Sequence, residues 1–133
     1  MMGDGCLMFQ ILKIKDMSFK FEKLIIWQLA MDFGEEINII ANSFPPTERY
    51  NLSSQILRAV DSIALNISEG SVEQTIPEFK RFLNYSIRSI AEVVTCLHKA
   101  KRRNYITQEQ FDYLYAKSFE LMNRTLAFKT QLK

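Results

Sequence analysis

TIPEFKRFLNYSIRSIAEVVTCLHKAKRR, residues 75–103, spells a helix from cap to cap. Thr75 followed three residues later by Glu78 is a capping pattern, and Pro77 falls in the first turn, where its missing N–H leaves no helical hydrogen bond unmade. Phe79, Phe82, Leu83, Ser86, Ile90, Val93 and Leu97 recur at threes and fours and form one stripe on a 3.6-residue period. Lys99, Lys101, Arg102 and Arg103 close the segment with positive charge, which suits the partial negative end of a helix dipole. A helix with one such stripe must bury it against others of its kind.

Those others lie on both sides. Upstream, from about Phe21 to Asn42, Ile26, Leu29, Ala30, Phe33, Ile37 and Ile40 keep the same period until Pro45 and Pro46 stop it. A second helix begins between Thr47 and Ser53, carries Leu52, Ile56, Ala59, Ile63 and Ile67, and is expected to end at Gly70 in the left-handed position after a helix. Downstream, Thr107 with Gln110 three residues on opens a fourth helix bearing Phe111, Leu114, Ser118, Leu121, Thr125 and Leu126. Four helices joined by short links predict an all-α fold, an antiparallel up-and-down four-helix bundle over residues 18–133. Residues 1–17 are set apart as an N-terminal arm. The arm lacks the cationic start and small-residue cleavage site of a signal peptide, so a cytoplasmic location is expected, and Met17 would serve equally well as a translation start.

Composition closes off other classes. The chain has 133 residues, a one-domain length, and only four glycines and three prolines, too few for a turn-rich all-β protein. Cys6 and Cys96 can form at most one bridge, and the apolar runs fall short of the roughly 20 residues of a membrane span. Catalytic patterns are missing too. The single histidine, His98, lies about 200° around the helix from Cys96, so the two cannot share a metal on one face. No glutamate has a histidine three residues later, as di-iron bundles require, and the glycines at 3, 5, 34 and 70 cannot build a phosphate cradle. The expectation is a protein that is not an enzyme and holds no metal or cofactor.

Charge is the informative feature. Residues 1–48 carry four Lys/Arg and seven Asp/Glu, net −3, whereas residues 49–133 carry thirteen and eight, net +5. Residues 80–103 hold seven cations against the single anion Glu92. Arg81, Arg88 and Lys99 fall within about 20° on the helical wheel, opposite the apolar stripe, and span roughly 27 Å at 1.5 Å per residue. With Lys101, Arg102 and Arg103 they form a candidate nucleic-acid-binding ridge, long enough for several phosphates, or else a solvated face. On the second helix Gln55, Arg58, Ser62, Asn66 and Glu69 make a polar stripe, either a partner site or a hydrogen-bonded network that fixes helix register. Leu57 and Leu65 lie beyond it as a sparse apolar edge that hints at a subunit contact.

A long, ordered set of residues carries a family resemblance. It starts with Phe21, Leu24, Trp27 and Gln28, and continues through Phe44-Pro45, Glu48, Tyr50, Leu52, Gln55, Arg58-Ala59, Ser62-Ile63, Asn66-Ile67 and Glu69-Gly70. It ends with Glu78-Phe79, Arg81-Phe82-Leu83, Ser89 and Glu92. In these the chain resembles, over about residues 19–130, the four-helix-bundle proteins encoded in intervening sequences of bacterial 23S ribosomal RNA genes. The resemblance implies a left-handed up-and-down bundle assembled into a homopentameric ring without catalytic activity. A related branch serves as the accessory protein of diversity-generating retroelements, where a basic barrel binds nucleic acid and a reverse transcriptase. By that analogy the ridge binds RNA or DNA backbone; the alternatives are an adaptor for a partner such as a reverse transcriptase, or a structural protein with no direct nucleic-acid role. The resemblance further implies a structural polar network of Arg58, Ser62, Asn66, Glu69, Ser89 and Glu92. Where many relatives read Ala-x-Gly-Ser, this chain reads Ser86-Ile87-Arg88-Ser89, which places an arginine at a small-residue contact.

Overall fold

A computed structural model describes residues 17–133 and, before them, Leu7, Met8 and Gln10. Four helices follow in order: α1 (Ile25–Asn42), α2 (Leu52–Ser71), α3 (Ile76–Arg102) and α4 (Gln108–Gln131). Short 3-10 turns at Lys20–Lys23 and Pro46–Glu48 precede α1 and α2, and the described residues contain no strand. Each helix packs on the next and α4 returns to α1, with α2 against α3 the most extensive pairing, as in a four-helix bundle. Among the described residues no helix is long and apolar enough to cross a membrane. The rest of the expected N-terminal arm, with Cys6, lies outside the described residues.

The caps explain where the long helices begin. The Thr75 hydroxyl accepts from the Glu78 backbone N–H at 3.3 Å with Pro77 in the first turn, as the sequence predicts. Thr107 and Gln110 form a reciprocal box: the hydroxyl accepts from the Gln110 N–H at 3.1 Å, and the Thr107 N–H donates to the Gln110 side chain at 2.8 Å. α1 starts four residues later than its periodicity suggests, because Leu24 is extended and separates it from the 3-10 turn. α3 ends in a left-handed turn at Asn104, φ 62°, with the Tyr105 N–H donating to the Ala100 carbonyl at 2.9 Å and the Asn104 N–H to that of Lys101 at 3.1 Å. This is a Schellman pattern built on asparagine rather than glycine.

The predicted stripes meet in one core in which Ile37, Leu52, Ile56, Ile63, Ile67, Leu83, Ile90 and Leu97 are fully buried. Ser118 and Thr125 lie on it as expected, and their hydroxyls donate to the Leu114 and Leu121 carbonyls one turn back. Leu126 does not: it is exposed beside that stripe. Gly70 also departs from expectation. It is buried inside α2, which runs on to Ser71, and no glycine among the described residues has positive φ. A Cβ at Gly70 would stand 2.7 Å from the Phe82 Cβ and 2.9 Å from the Phe79 ring, so glycine is needed for the close approach of α2 and α3 rather than for a cap.

Candidate nucleic-acid interface

α3 turns one face to the core and the opposite face to solvent, which presents Arg81, Arg88 and Arg102 exposed and Lys99 half-exposed. The four are not equivalent. Arg81 pairs with Glu78 at 2.6 Å, and its guanidinium carbon lies 5.5 Å from the Phe82 ring centroid and 5.9 Å from that of Tyr85. Arg88 covers the same Tyr85 ring at 5.9 Å. Tyr85 is therefore flanked by two guanidinium groups, an arrangement that holds both cations along the ridge. Among the described residues Arg88, Lys99 and Arg102 have no carboxylate partner. Lys101 is half-buried and lies about 200° around the helix from Lys99, off the ridge.

Arg103 belongs elsewhere. It sits past the end of α3 and donates to the Glu48 carboxylate at 2.9 Å. Glu48, in the turn before α2, is the one buried acid among the described residues. Its Oε2 also accepts from the Tyr105 hydroxyl at 2.7 Å, and its Oε1 from the Asn51 amide at 3.0 Å and the Leu52 N–H at 3.4 Å. The Tyr105 hydrogen bond, helped by Leu52, Arg103 and Asn51, holds the carboxyl below its ordinary pKa although burial pushes the other way. The same bond raises the Tyr105 phenol. This clamp ties the α1–α2 link to the α3–α4 link. The sequence places Glu48 in a family pattern but carries no signal that Arg103 and Tyr105, more than fifty residues away, are partners of its carboxylate.

The polar network forms in part. Asn66 donates to the Ser62 carbonyl at 2.8 Å and to its hydroxyl at 2.9 Å, and Ser89 of α3 reaches the same hydroxyl at 2.9 Å. Ser86, on the same face of α3, donates to the Ile63 carbonyl at 2.8 Å. Arg58, Glu69 and Glu92 are exposed and make no hydrogen bond to it among the described residues. The stripe on α2 thus pins α2 to α3 at Ser62, with Asn66 buttressing it.

Burial, and Glu92 nearby, push the Cys96 thiol up, which keeps it protonated and inert. His98 packs edge-on against Phe111, ring centroids 4.9 Å apart. Among the described residues no group of three or more histidine, cysteine or acidic side chains is placed to hold a metal ion.

Comparison with known proteins bears on the fold and the family. A solved structure of a protein with unknown function from the S23 ribosomal protein family of Bacteroides thetaiotaomicron superposes with a TM-score of 0.74 at 24% identity, covering 79% of this chain and 98% of that one. At that identity the likeness shows the fold alone. No curated protein matches. The family model for the 23S rRNA-intervening sequence protein matches residues 22–126, which takes in all of α1, α2 and α3 and most of α4. The chain belongs to the 23S rRNA-intervening sequence protein family.

Proposed function

We propose that this protein is a non-enzymatic, self-associating helical bundle that binds the backbone of RNA or DNA through the outer face of α3. The observation that carries the reading is the set Arg88, Lys99 and Arg102, cations on one face without carboxylate partners among the described residues, extended by the stacked Arg81. Such contacts are made to phosphates and position a nucleic acid without reading its bases. The family resemblance supports a homopentameric ring as the assembled form, which would repeat this face around an axis.

Fluorescence anisotropy of a labelled structured RNA and a labelled DNA duplex, titrated with the full chain across a salt series, tests it. Three to four phosphate contacts per protomer predict a log–log salt slope of about −3 for duplex DNA. Arg88→Glu with Lys99→Glu should reduce affinity for both probes and flatten the slope by about one per cation removed. Negligible binding at low salt, or affinity unchanged by the double reversal, overturns the assignment. Binding that appears only once a partner protein is added would instead favour the adaptor.

A further inference from the structure

The link between α1 and α2 holds an aromatic ring out in water. Tyr50 is 87% exposed, the most exposed large apolar or aromatic side chain among the described residues. Its backbone is nonetheless tied down on both sides. The Arg49 N–H donates to the Pro46 carbonyl at 3.1 Å and the Asn51 N–H to the Glu48 carbonyl at 2.9 Å, while the clamped Glu48 side chain anchors the turn to the α3–α4 link. A ring presented from a bonded turn keeps one direction, and its exposure is part of how the turn is built.

Tyr50 stands at a cleft of about 670 Å³ between the end of α1 and the start of α2, lined also by Phe44, Leu57, Arg49 and Arg58. Both arginines are exposed, and neither has a carboxylate partner among the described residues. The Arg49 guanidinium carbon lies 5.4 Å from the Tyr50 ring centroid, so a cation already covers one face of the ring. The one acid lining the cleft, Asp61, follows Arg58 by three residues, nearly one turn deeper along α2. Ring and cations therefore sit toward the link, and the anion toward the middle of the helix. The cleft lies on the α1–α2 side and is separate from the outer face of α3.

We propose that this cleft is a second nucleic-acid site, one that takes an unpaired nucleotide, with its base on Tyr50 and its flanking phosphates on Arg49 and Arg58. Every base has a flat face that stacks on an aromatic ring, and guanidinium groups donate in pairs to phosphate oxygens. Asp61 repels phosphate from the inner end and so keeps the backbone beside the ring. A duplex keeps its bases stacked on one another and offers none to Tyr50; a single strand does. The proposal goes beyond backbone binding by the α3 ridge and does not depend on it.

Anisotropy of a labelled oligouridine, set beside a labelled DNA duplex and titrated with the full chain across a salt series, tests it. Tyr50→Ala should weaken oligouridine binding about tenfold, the scale of one lost base stack, and leave duplex binding unchanged. Tyr50→Trp should restore it. Arg49→Gln and Arg58→Gln should each flatten the single-strand salt slope by about 0.7. Circular dichroism checks that each variant keeps its helices, and Arg58→Gln tests the site independently of the link. Arg88→Glu with Lys99→Glu should leave oligouridine binding sensitive to Tyr50→Ala, whatever becomes of the duplex, so the two sites fail separately. No binding of oligouridine by wild type, or binding untouched by Tyr50→Ala and Arg58→Gln, overturns the proposal. An equal loss for single strand and duplex on Tyr50→Ala overturns the stacked base, and displacement by polyglutamate as readily as by unlabelled oligouridine overturns the nucleotide as occupant.

Discussion

Single residues decide more here than their frequency suggests. Glu48 is held ionised by Tyr105, Leu52, Arg103 and Asn51, so its pKa is lower in the folded chain than in the unfolded one. Its contribution to stability is therefore fully present above the unfolded carboxylate value and is lost as pH falls through the lowered folded value. Denaturation midpoints measured from pH 7 to pH 3 should decline below about pH 4, the ordinary range for glutamate. Glu48→Gln should have a lower midpoint at pH 7 and a smaller decline on acidification; a variant that tracks wild type at every pH would refute the clamp. Gly70 makes the opposite point about propensity. Alanine is the better helix former by about 1 kcal/mol, yet overpacking against Phe82 and Phe79 costs about 1–3 kcal/mol, so Gly70→Ala should destabilise by about 1 kcal/mol in urea titration. A stabilised variant would mean that α2 and α3 can move apart freely. Neither effect was legible in the sequence, because both depend on which residues from distant segments meet at one atom.

At the scale of elements the sequence is far more transparent. Thr75 with Glu78 and Thr107 with Gln110 mark helix starts through contacts three residues apart, and the structure makes both. The four apolar stripes are likewise local patterns, and their buried members form the core. Helix ends were harder. α3 stops at a left-handed asparagine that no glycine announces, and α2 continues past the glycine that seemed to stop it. The Schellman turn predicts that Asn104→Val lowers stability by about 1–2 kcal/mol, the cost of a bulky side chain at positive φ, while Asn104→Gly does not. Equal effects of the two substitutions on the thermal midpoint would show that the turn relaxes. On α3 the structure exposes Arg81, Arg88 and Arg102 and half-exposes Lys99 along one face. Arg103 and Lys101 depart from it because the helix ends before one and turns the other aside.

For the molecule as a whole, the bundle is unevenly closed. α2 and α3 form the most extensive pairing, pinned by Ser62, Ser89 and the Gly70 contact, whereas α1 and α4 share the thinnest seam. That seam encloses a cleft of about 100 Å³ lined by Leu29, Asp32, Phe33, Glu36, Lys117, Glu120 and Leu121. The buried Oε2 of Glu36 finds no hydrogen-bond partner there among the described residues. An unpaired buried oxygen and an incomplete seam both lower the free energy needed to separate the two helices locally. Native-state hydrogen exchange should accordingly show the slowest amides in α2 and α3, exchanging only by global unfolding. The amides of α4 should exchange through a smaller, sub-global opening. Filling the seam with Glu36→Met removes the orphaned oxygen, and should slow α4 exchange selectively while leaving the α2 and α3 amides tied to the global transition. Uniform protection across all four helices would mean that the seam is as tight as the rest, and that the bundle opens only as one unit.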